Sequence, residues 1–341
     1  MKLAVVLFNL GGPDSPDAVE PFLRNLFRDP AILTVPAFVR GPLARFIARR
    51  RAPVAREIYA KIGGRSPILE ETTAQARALE AALSVHETRA FIAMRCWKPF
   101  SDETAREVAA WLPDHIVLLP LYPQFSTTTS ASSLTDWSRA SAAAHITAPE
   151  SRVCCYPRAP GFIEGLAALT RGTMAKARPD IPYRLLLSAH GLPERVIAGG
   201  DPYQWQVEQS AAALVELLGA TDWTVCYQSR VGPLKWIGPS TDVEIRRAGA
   251  DGKGVIVVPM AFVSEHSETL VELDMEYAKL AHEAGVPDYL RVPTVSAHPA
   301  FIAALADLVL RSLSKPEPAT YESGRICPAR CGSCGFEREM R

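Results

Sequence analysis

The stretch that decides the fold is Val255-Ile256-Val257-Val258-Pro259-Met260, followed after three residues by Ser264-Glu265-His266-Ser267-Glu268-Thr269-Leu270-Val271-Glu272-Leu273-Asp274-Met275-Glu276. The first run is continuously apolar, as in a parallel strand that is buried on both faces. Ser264 can cap a following helix, and Gly285 with Pro287 can end it. The stretch therefore predicts a buried strand and then an α-helix from about Glu265 to Glu283.

The same alternation recurs along the chain. Short apolar runs rich in β-branched residues are separated by helical patterns, and they lie at 3–9, 90–95, 116–122, 152–156, 184–190, 223–228, 255–260 and 289–295. Runs of this kind with helices between them are typical of parallel sheets covered on both faces. We predict an α/β protein with two halves, each built on a four-stranded parallel sheet flanked by helices.

The length of 341 residues exceeds what one core usually supports, so two domains are the first expectation. We predict an N-terminal domain over residues 1–157 and a C-terminal domain over 158–315. After Lys315-Pro316-Glu317-Pro318 the composition becomes polar and rich in cysteine. Residues 316–341 are therefore predicted to form an appended Cys-rich tail.

Composition excludes several classes of protein. Lys and Arg number 37, as do Asp and Glu, so the chain lacks the charge excess of a nucleic-acid binder. The apolar start is too short for a signal peptide, and no apolar run approaches the roughly twenty residues of a membrane span. The cysteines number seven, an odd number, and four of them are scattered, which does not suggest a disulfide framework. Gly11-Gly12-Pro13 matches neither the dinucleotide-binding fingerprint nor the P-loop, which would need a Lys followed by Ser or Thr. We expect a cytoplasmic protein, or one peripheral to a membrane.

A basic amphipathic segment lies at 38–62, where apolar residues interleave with six arginines and one lysine: Arg40, Arg45, Arg49, Arg50, Arg51, Arg56 and Lys61. Such helices bind anionic lipid headgroups or long acidic ligands. The alternative is a solvated helix that packs its apolar stripe on the core.

An acidic ridge is predicted in the helix after residue 264, because Glu268, Glu272 and Glu276 are spaced four apart. A solvated acidic face is the alternative for the last two. His190 ends another predicted strand, and ligands bind at the carboxyl ends of parallel strands. We therefore expect His190, His266 and Glu268 to share one edge, where two imidazoles and a carboxylate would suit a transient Fe²⁺ or Zn²⁺ site.

Three thiols, Cys327, Cys331 and Cys334, lie within eight residues of the tail. This spacing is a strong signal for a metal or an iron–sulfur cluster, and it favours zinc and [2Fe–2S] about equally. A fourth ligand is needed, and the tail has none. Cys154 and Cys155 are the natural donors, and only one of them is expected to reach because successive strand residues point to opposite faces.

A series of motifs now identifies a resemblance that covers nearly the whole chain. They are Leu7-Phe8-Asn9-Leu10-Gly11-Gly12-Pro13, Lys61-Ile62-Gly63-Gly64-Arg65-Ser66-Pro67-Ile68, Leu119-Pro120-Leu121-Tyr122-Pro123-Gln124-Phe125-Ser126, Ser188-Ala189-His190-Gly191-Leu192-Pro193, Gly200-Asp201-Pro202-Tyr203, Tyr227-Gln228-Ser229-Arg230-Val231-Gly232-Pro233, Trp236-Ile237-Gly238-Pro239 and Ser264-Glu265-His266-Ser267-Glu268-Thr269-Leu270. Together they resemble the ferrochelatase family. The resemblance implies two Rossmann-like, class II chelatase-like domains with a porphyrin cleft between them. It also implies insertion of Fe²⁺ into protoporphyrin IX with release of two protons, the last step of haem biosynthesis.

The resemblance also implies residue roles. His190 would accept a pyrrole proton or contact the substrate Fe²⁺, with Glu268 as its partner, while Glu272 and Glu276 would relay protons or metal and His266 would support the pocket. The residues implied to bind the porphyrin are Asn9, Leu10, Tyr59, Arg95, Tyr122, Ser126 and Trp236. The segment at 38–62 resembles the family's lip, which implies a membrane-facing mouth.

The tail resembles the extension of ferrochelatases that carry a [2Fe–2S] cluster, which favours the cluster over zinc. Animal members use a wider spacing and a fourth cysteine where this chain has Thr127. The fourth ligand here would be Cys155 or Cys154.

The partners implied are protoporphyrin IX, Fe²⁺ and the surface of the inner membrane, without nucleic acid. Monomer and homodimer stay open. The alternatives are insertion of iron into coproporphyrin III, a non-catalytic porphyrin- or haem-binding protein, and an iron–sulfur sensor on an inactive chelatase fold.

Overall fold

The computed structural model describes residues 1–229, 234–314 and 317–336. These form two compact units. The first comprises Met1–Cys155, Leu305–Ile326 and the described residues from Gly335 onward, and the second comprises Tyr156–Ala304 and Cys327–Cys334. The boundaries of these units are not those of the domains predicted from sequence, and the predicted domain limits stay a prediction.

Strands and helices alternate throughout the described chain. In order they are β1 Lys2–Asn9, α1 Val19–Arg28, α2 Ala37–Ala60, α3 Ile68–Ala82, β2 Glu87–Met94, α4 Ser101–Trp111, β3 His115–Pro120, α5 Ser130–Ala143, β4 Glu150–Cys155, α6 Pro160–Met174, β5 Tyr183–His190, α7 Glu194–Ala198, α8 Tyr203–Leu218, β6 Trp223–Gln228, α9 Thr241–Ala250, β7 Gly254–Pro259, a π-helix Glu268–Glu276, α10 Tyr277–Glu283, β8 Tyr289–Arg291, α11 Pro299–Leu313 and β9 Ala319–Thr320. A short 3₁₀ turn, Pro16–Ala18, precedes α1.

Each unit contains one parallel sheet, as predicted. The first has the order β2-β1-β3-β4-β9 and the second β6-β5-β7-β8. All eight predicted strands are present, although β8 ends at Arg291 rather than continuing to residue 295. The prediction of four strands in the first sheet is corrected to five, because Ala319 and Thr320 of the tail pair with β4. A two-residue strand is too short to show a hydrophobic period.

The cores lie between the sheets and their helices. In the first unit, alternate residues of β1 (Ala4, Val6 and Phe8) pack with α4 and α5 around the fully buried Trp137. In the second unit, β5 and β7 pack on α9, α10 and Leu273 of the π-helix. Both faces of the central strands are therefore covered, which explains their continuous hydrophobicity.

The helix predicted from Glu265 to Glu283 is corrected in its first half. Residues Glu268–Glu276 form a π-helix whose N-cap is Ser267 rather than Ser264, and only Tyr277–Glu283 is α-helical. The two helical forms differ in whether each N–H bonds the carbonyl four or five residues back. Spacing of carboxylates alone does not distinguish them.

The basic segment forms α2, a helix of 24 residues with Pro42 and Pro53 inside it. Its packed stripe consists of Ala44, Ala48 and Ala52, which are fully buried. Tyr59 is also buried. Three large apolar side chains nevertheless remain in solvent, with exposed fractions of 81% for Phe38, 59% for Phe46 and 61% for Val54. The apolar stripe of the sequence thus divides into a small packed face and a large unpacked one.

Candidate active site

The site of the second unit is built at the carboxyl edge of its sheet. His190 is the last residue of β5 and pairs in register with Gln228, the last residue of β6. β7 lies on the other side of β5 and leads, through eight residues, to the π-helix. Three chain segments therefore present their polar residues at one edge, as the parallel topology requires.

His190 and Glu268 are in direct contact. The Nδ1 atom of His190 lies 2.8 Å from Oε2 of Glu268, with both side chains partly exposed. Partial burial by itself lowers the pKa of His190, but the charge and hydrogen bond of Glu268 outweigh it and raise that pKa above its usual value. The same contact outweighs the opposing effect of burial on Glu268 and lowers the pKa of its carboxyl. Sequence reasoning expected this pair, and the fold brings it together.

The backbone of His190 is also held. The hydroxyl of Tyr203, at the start of α8, donates to the carbonyl oxygen of His190 over 3.0 Å. Tyr203 is buried, and burial raises its pKa, so the hydroxyl keeps its proton. The end of β5 is thereby fixed where the imidazole leaves it.

Glu272 is surrounded by donors. Its carboxylate accepts the Gln228 side-chain amide at 3.1 Å, the Ser229 N–H at 2.9 Å and the Tyr277 hydroxyl at 3.0 Å. Burial, and then the charge of Glu268, raise the pKa of Glu272. This arrangement removes Glu272 from the solvated acidic face that was the alternative for it.

Ser229 is a site residue that sequence reasoning missed. Its hydroxyl lies 3.1 Å from Oε2 of Glu268 and 2.5 Å from Oε2 of Glu272, so its single proton can be donated to either carboxylate. Its backbone has φ +64°, in the left-handed region that non-glycine residues seldom adopt. The available signal was its place directly after the carboxyl end of β6.

The other predicted members of the ridge lie apart from this contact. Glu276 ends the π-helix and is exposed. His266 is buried with its ring 4.6 Å from that of Phe262, and its Nδ1 has no hydrogen-bond partner among the described residues. Burial lowers the pKa of His266, which keeps the ring neutral.

A cavity of about 390 Å³ adjoins Glu272 in the second unit. Trp236, predicted to bind the porphyrin, is in its wall; the other lining residues are Tyr227, Gln228, Ser229, Leu234, Asp242, Glu272 and Tyr277. The wall thus combines aromatic surface with the donors that hold Glu272.

In the first unit, Asn9 and Arg95 stand at the carboxyl ends of β1 and β2. Asn9 donates from Nδ2 to Thr72 at 3.1 Å, and its carbonyl accepts the Arg95 N–H at 2.9 Å. The Arg95 guanidinium is 3.0 Å from Oδ2 of Asp29 and 2.7 Å from the Ser132 hydroxyl. Asp29, buried at 3% exposure, is a second residue that sequence reasoning missed.

The remaining predicted porphyrin residues of the first unit occupy nearby segments. Leu10 follows β1 and packs in a cluster that contains Tyr59 of α2. Tyr122 follows β3, and burial raises the pKa of its hydroxyl. Ser126 is buried, with its hydroxyl 2.8 Å from that of Thr128.

The predicted cluster cysteines are all buried. Cys327, Cys331 and Cys334 belong to the second unit, where Nε2 of Gln206 donates to Sγ of Cys327 over 3.1 Å. Cys154 and Cys155 belong to the core of the first unit. Within the described ranges, no three His, Cys, Asp or Glu side chains are grouped so as to hold a metal ion. The iron–sulfur site therefore stays a prediction.

Across the described residues, no helix has the length and apolar character needed to cross a membrane.

Two parallel α/β units flanked by helices are the fold of the α/β chelatases. The sirohydrochlorin chelatase SirB from Bacillus subtilis subspecies spizizenii, solved in complex with cobalt, has this fold; it aligns with a TM-score of 0.54 at 12% identity, covering 93% of this chain and 97% of that one. At this identity the likeness shows the fold alone.

Sequence comparison gives the family. The ferrochelatase family model matches residues 2–313. A ferrochelatase of Phenylobacterium zucineum (strain HLK1) is 58% identical over 340 residues, covering 98% of each chain, and one of Caulobacter vibrioides (strain NA1000 / CB15N) is 58% identical over 337 residues, covering 97% of this chain and 95% of that one. The chain belongs to the ferrochelatase family. It is a lyase that inserts metal into a porphyrin, at the last step of haem biosynthesis.

Proposed function

We propose that the substrates are protoporphyrin IX and Fe²⁺, that the product is protohaem, and that His190 and Glu268 carry the reaction. The observation that supports this most strongly is the 2.8 Å contact between His190 Nδ1 and Glu268 at the carboxyl edge of the second sheet. A free-base porphyrin has two inner N–H protons, and both must leave as the metal enters. The site therefore needs a base as well as metal-binding atoms.

The contact with Glu268 supports Nε2 of His190 as the base. A carboxylate accepts a hydrogen bond, so Nδ1 carries the proton and Nε2 keeps its lone pair for a pyrrole proton. The imidazolium that results is stabilised by the negative charge of Glu268. Neutral Nε2 and the Glu268 carboxylate are also ligand types that Fe²⁺ accepts, so we assign both residues to the substrate metal.

We assign Glu272 and Glu276 to an outward relay. Ser229 bridges Glu268 and Glu272, which supports the first step of that path. Glu272 has a raised pKa and lines the 390 Å³ cavity, so it can hold a proton beside a space large enough for several water molecules. His266, neutral and packed on Phe262, is assigned to support of the pocket.

Porphyrin binding is assigned to Asn9, Leu10, Tyr59, Arg95, Tyr122, Ser126 and Trp236. Asn9, Leu10, Arg95 and Tyr122 lie at or just after strand ends, which supports the assignment. Arg95 and Trp236 supply charge and aromatic surface.

One assay tests the reaction and its substrate. Purified protein is mixed anaerobically with Fe²⁺ or Zn²⁺ and with protoporphyrin IX or coproporphyrin III, and the metalloporphyrin absorbance is followed. We expect turnover with a higher kcat/KM for protoporphyrin IX. A higher kcat/KM for coproporphyrin III would change the substrate and leave the ring chemistry intact. Binding of either ring without turnover would favour a porphyrin carrier.

We further propose a [2Fe–2S] cluster bound by Cys327, Cys331, Cys334 and either Cys155 or Cys154. The buried thiols and the amide N–H donated to Cys327 Sγ suit cluster ligands, since sulfur atoms of clusters accept such hydrogen bonds. When bound, the cluster would supply a structural or redox-sensitive centre. Residues of this chain carry every step assigned above without it.

Replacement of Cys331 by serine tests the cluster. We expect wild-type protein purified without oxygen to be brown, and Cys331→Ser to lose the visible absorption together with most of its iron. Cys226→Ser is the matched control, because Cys226 is buried in the core of the second unit and belongs to no proposed ligand set. A colourless wild-type preparation that contains one zinc would contradict the proposal.

The location proposed is cytoplasmic with peripheral attachment to the inner membrane through α2. The exposed Phe38 and Phe46, with arginines on the same helix, support attachment to an anionic surface.

Vesicle sedimentation measures this attachment. Changing Phe38 and Phe46 to serine is expected to weaken binding to anionic vesicles at least about tenfold, because each buried phenylalanine contributes roughly 1.5–3 kcal/mol. Leu112→Ser is the control, since Leu112 is 75% exposed outside α2. Equal binding of the two variants would contradict the role of α2.

A further inference from the structure

The π-helix is an unusual element that needs an explanation. Most π-helical segments are single-turn bulges inside α-helices, whereas this one spans nine residues, Glu268–Glu276. The Tyr277 N–H bonds the carbonyl of Glu272, five residues back. The α-helix begins at Tyr277, so the carbonyl of Leu273, which follows that of Glu272, lies where the π register meets the α register.

Tyr289 donates a hydrogen bond to this carbonyl from outside the helix. Its hydroxyl, from the first residue of β8, lies 2.7 Å from the carbonyl oxygen of Leu273. Leu273 is fully buried, and a buried carbonyl without a donor is costly. The hydrogen bond from Tyr289 therefore ties this buried carbonyl to β8 at the point where the π register meets the α register.

Arg291, the last residue of β8, binds the same segment by charge. Its guanidinium donates to both carboxylate oxygens of Asp274, at 2.7 and 2.5 Å, and to Glu265 at 2.6 Å. Its side chain is only 11% exposed. Asp274 lies within the π-helix and Glu265 precedes it, so one guanidinium fixes both sides of the segment. Planar, paired contacts of this kind also set orientation.

The π register determines what faces Glu272. In an α-helix the residue four positions on, Glu276, would neighbour Glu272 and repel it. In the π register the residue five positions on, Tyr277, lies there instead and donates its hydroxyl to Glu272 at 3.0 Å. The register thus replaces a like charge by a hydrogen-bond donor.

We propose that Tyr289 and Arg291 are positioning residues, which hold Glu268–Glu276 in the π register and so place the Glu272 carboxylate against Ser229 and Tyr277. Their effect on metal insertion rests on the function proposed above for the acidic residues. Their effect on the register does not.

Two variants and one matched control test the proposal. Tyr289→Phe removes the donor to Leu273, and Arg291→Gln removes the charge that binds Asp274 and Glu265. Arg184 is also a buried arginine held by two aspartates, Asp222 and Asp251, at the amino end of β5. Arg184→Gln therefore loses a comparable pair of contacts at the opposite end of the sheet from the site.

Crystal structures of the variants measure the register directly. We expect the Tyr277 N–H to move from the Glu272 carbonyl to that of Leu273 in Tyr289→Phe or Arg291→Gln, and to stay in Arg184→Gln. An unchanged π register in both variants would overturn the proposal, whatever their activity.

Steady-state kinetics measure the consequence. We expect a loss of about tenfold in kcat for both variants, an unchanged KM for the porphyrin, and partial rescue by Arg291→Lys. An equal loss of kcat in Arg184→Gln, at matched thermal stability, would show that Tyr289 and Arg291 have only a general structural role. An inactive wild-type enzyme would defeat the proposed function instead, and leave the register result standing.

Discussion

Replacing His190 by alanine is expected to reduce kcat for metal insertion by at least about 100-fold, since a positioned acid or base typically contributes 10²–10⁴-fold. The imidazole has one nitrogen engaged by Glu268 and the other available for a pyrrole proton. Alanine supplies neither the base nor a metal ligand. The measurement is anaerobic metalloporphyrin formation at saturating porphyrin, with porphyrin affinity determined separately by fluorescence quenching.

His115→Ala is the matched control for this experiment. His115 lies at the start of β3 in the first unit, where its Nε2 is 3.0 Å from the Ser151 hydroxyl, and it has no part in the proposed site. We expect its kcat to stay within about twofold of wild type. If His190→Ala retained comparable activity while folded, His190 would be neither the base nor a required ligand of the metal.

Glu268→Gln is expected to have the next largest effect, a loss of about 100-fold in kcat. The substitution keeps the shape of the side chain but removes the charge that stabilises the His190 imidazolium. Losing a carboxylate that orients a ligating histidine also commonly costs 10–100-fold in metal affinity or activity, so the KM for Fe²⁺ or Zn²⁺ should rise. Glu150→Gln, which changes a carboxylate bound by Trp137 in the first unit, is the control.

The dependence of activity on pH should change in a defined direction in Glu268→Gln. The proposed base must be neutral to accept a proton, so we expect kcat/KM to rise with pH through the pKa of His190. In the wild type Glu268 holds that pKa above the usual 6.5. Without that charge, burial, the largest influence, lowers the pKa and is opposed by the smaller effect of Glu272, so the acid limb of Glu268→Gln should move to lower pH. An acid limb that stayed in place would show that another group titrates there.

The contact between His190 and Glu268 could be predicted from the sequence, whereas the contacts of Ser229 could not. His190 follows a continuous apolar run, and Glu268 opens a helix after another, so both had to lie at a strand end. Ser229 is an ordinary serine in sequence. Only its left-handed backbone and the convergence of β6 with the π-helix bring its hydroxyl to two carboxylates. Asp29 likewise gains its role from Arg95, which is 66 positions away in the chain.

The sequence by itself determined the two parallel sheets and the sheet edge at which the candidate site lies, because buried strands are continuously hydrophobic and this pattern stops where each strand ends. It also carried the motifs of the ferrochelatase family. Tertiary structure alone decided the fifth strand of the first sheet and the π register of the acidic helix. The physical reason is the same in both cases, because each feature depends on a contact with another part of the chain. The two-residue strand β9 pairs with β4, and the carbonyl of Leu273 in the π-helix accepts a hydrogen bond from the Tyr289 hydroxyl of β8. Such partners are distant in the chain, and local propensity does not record them.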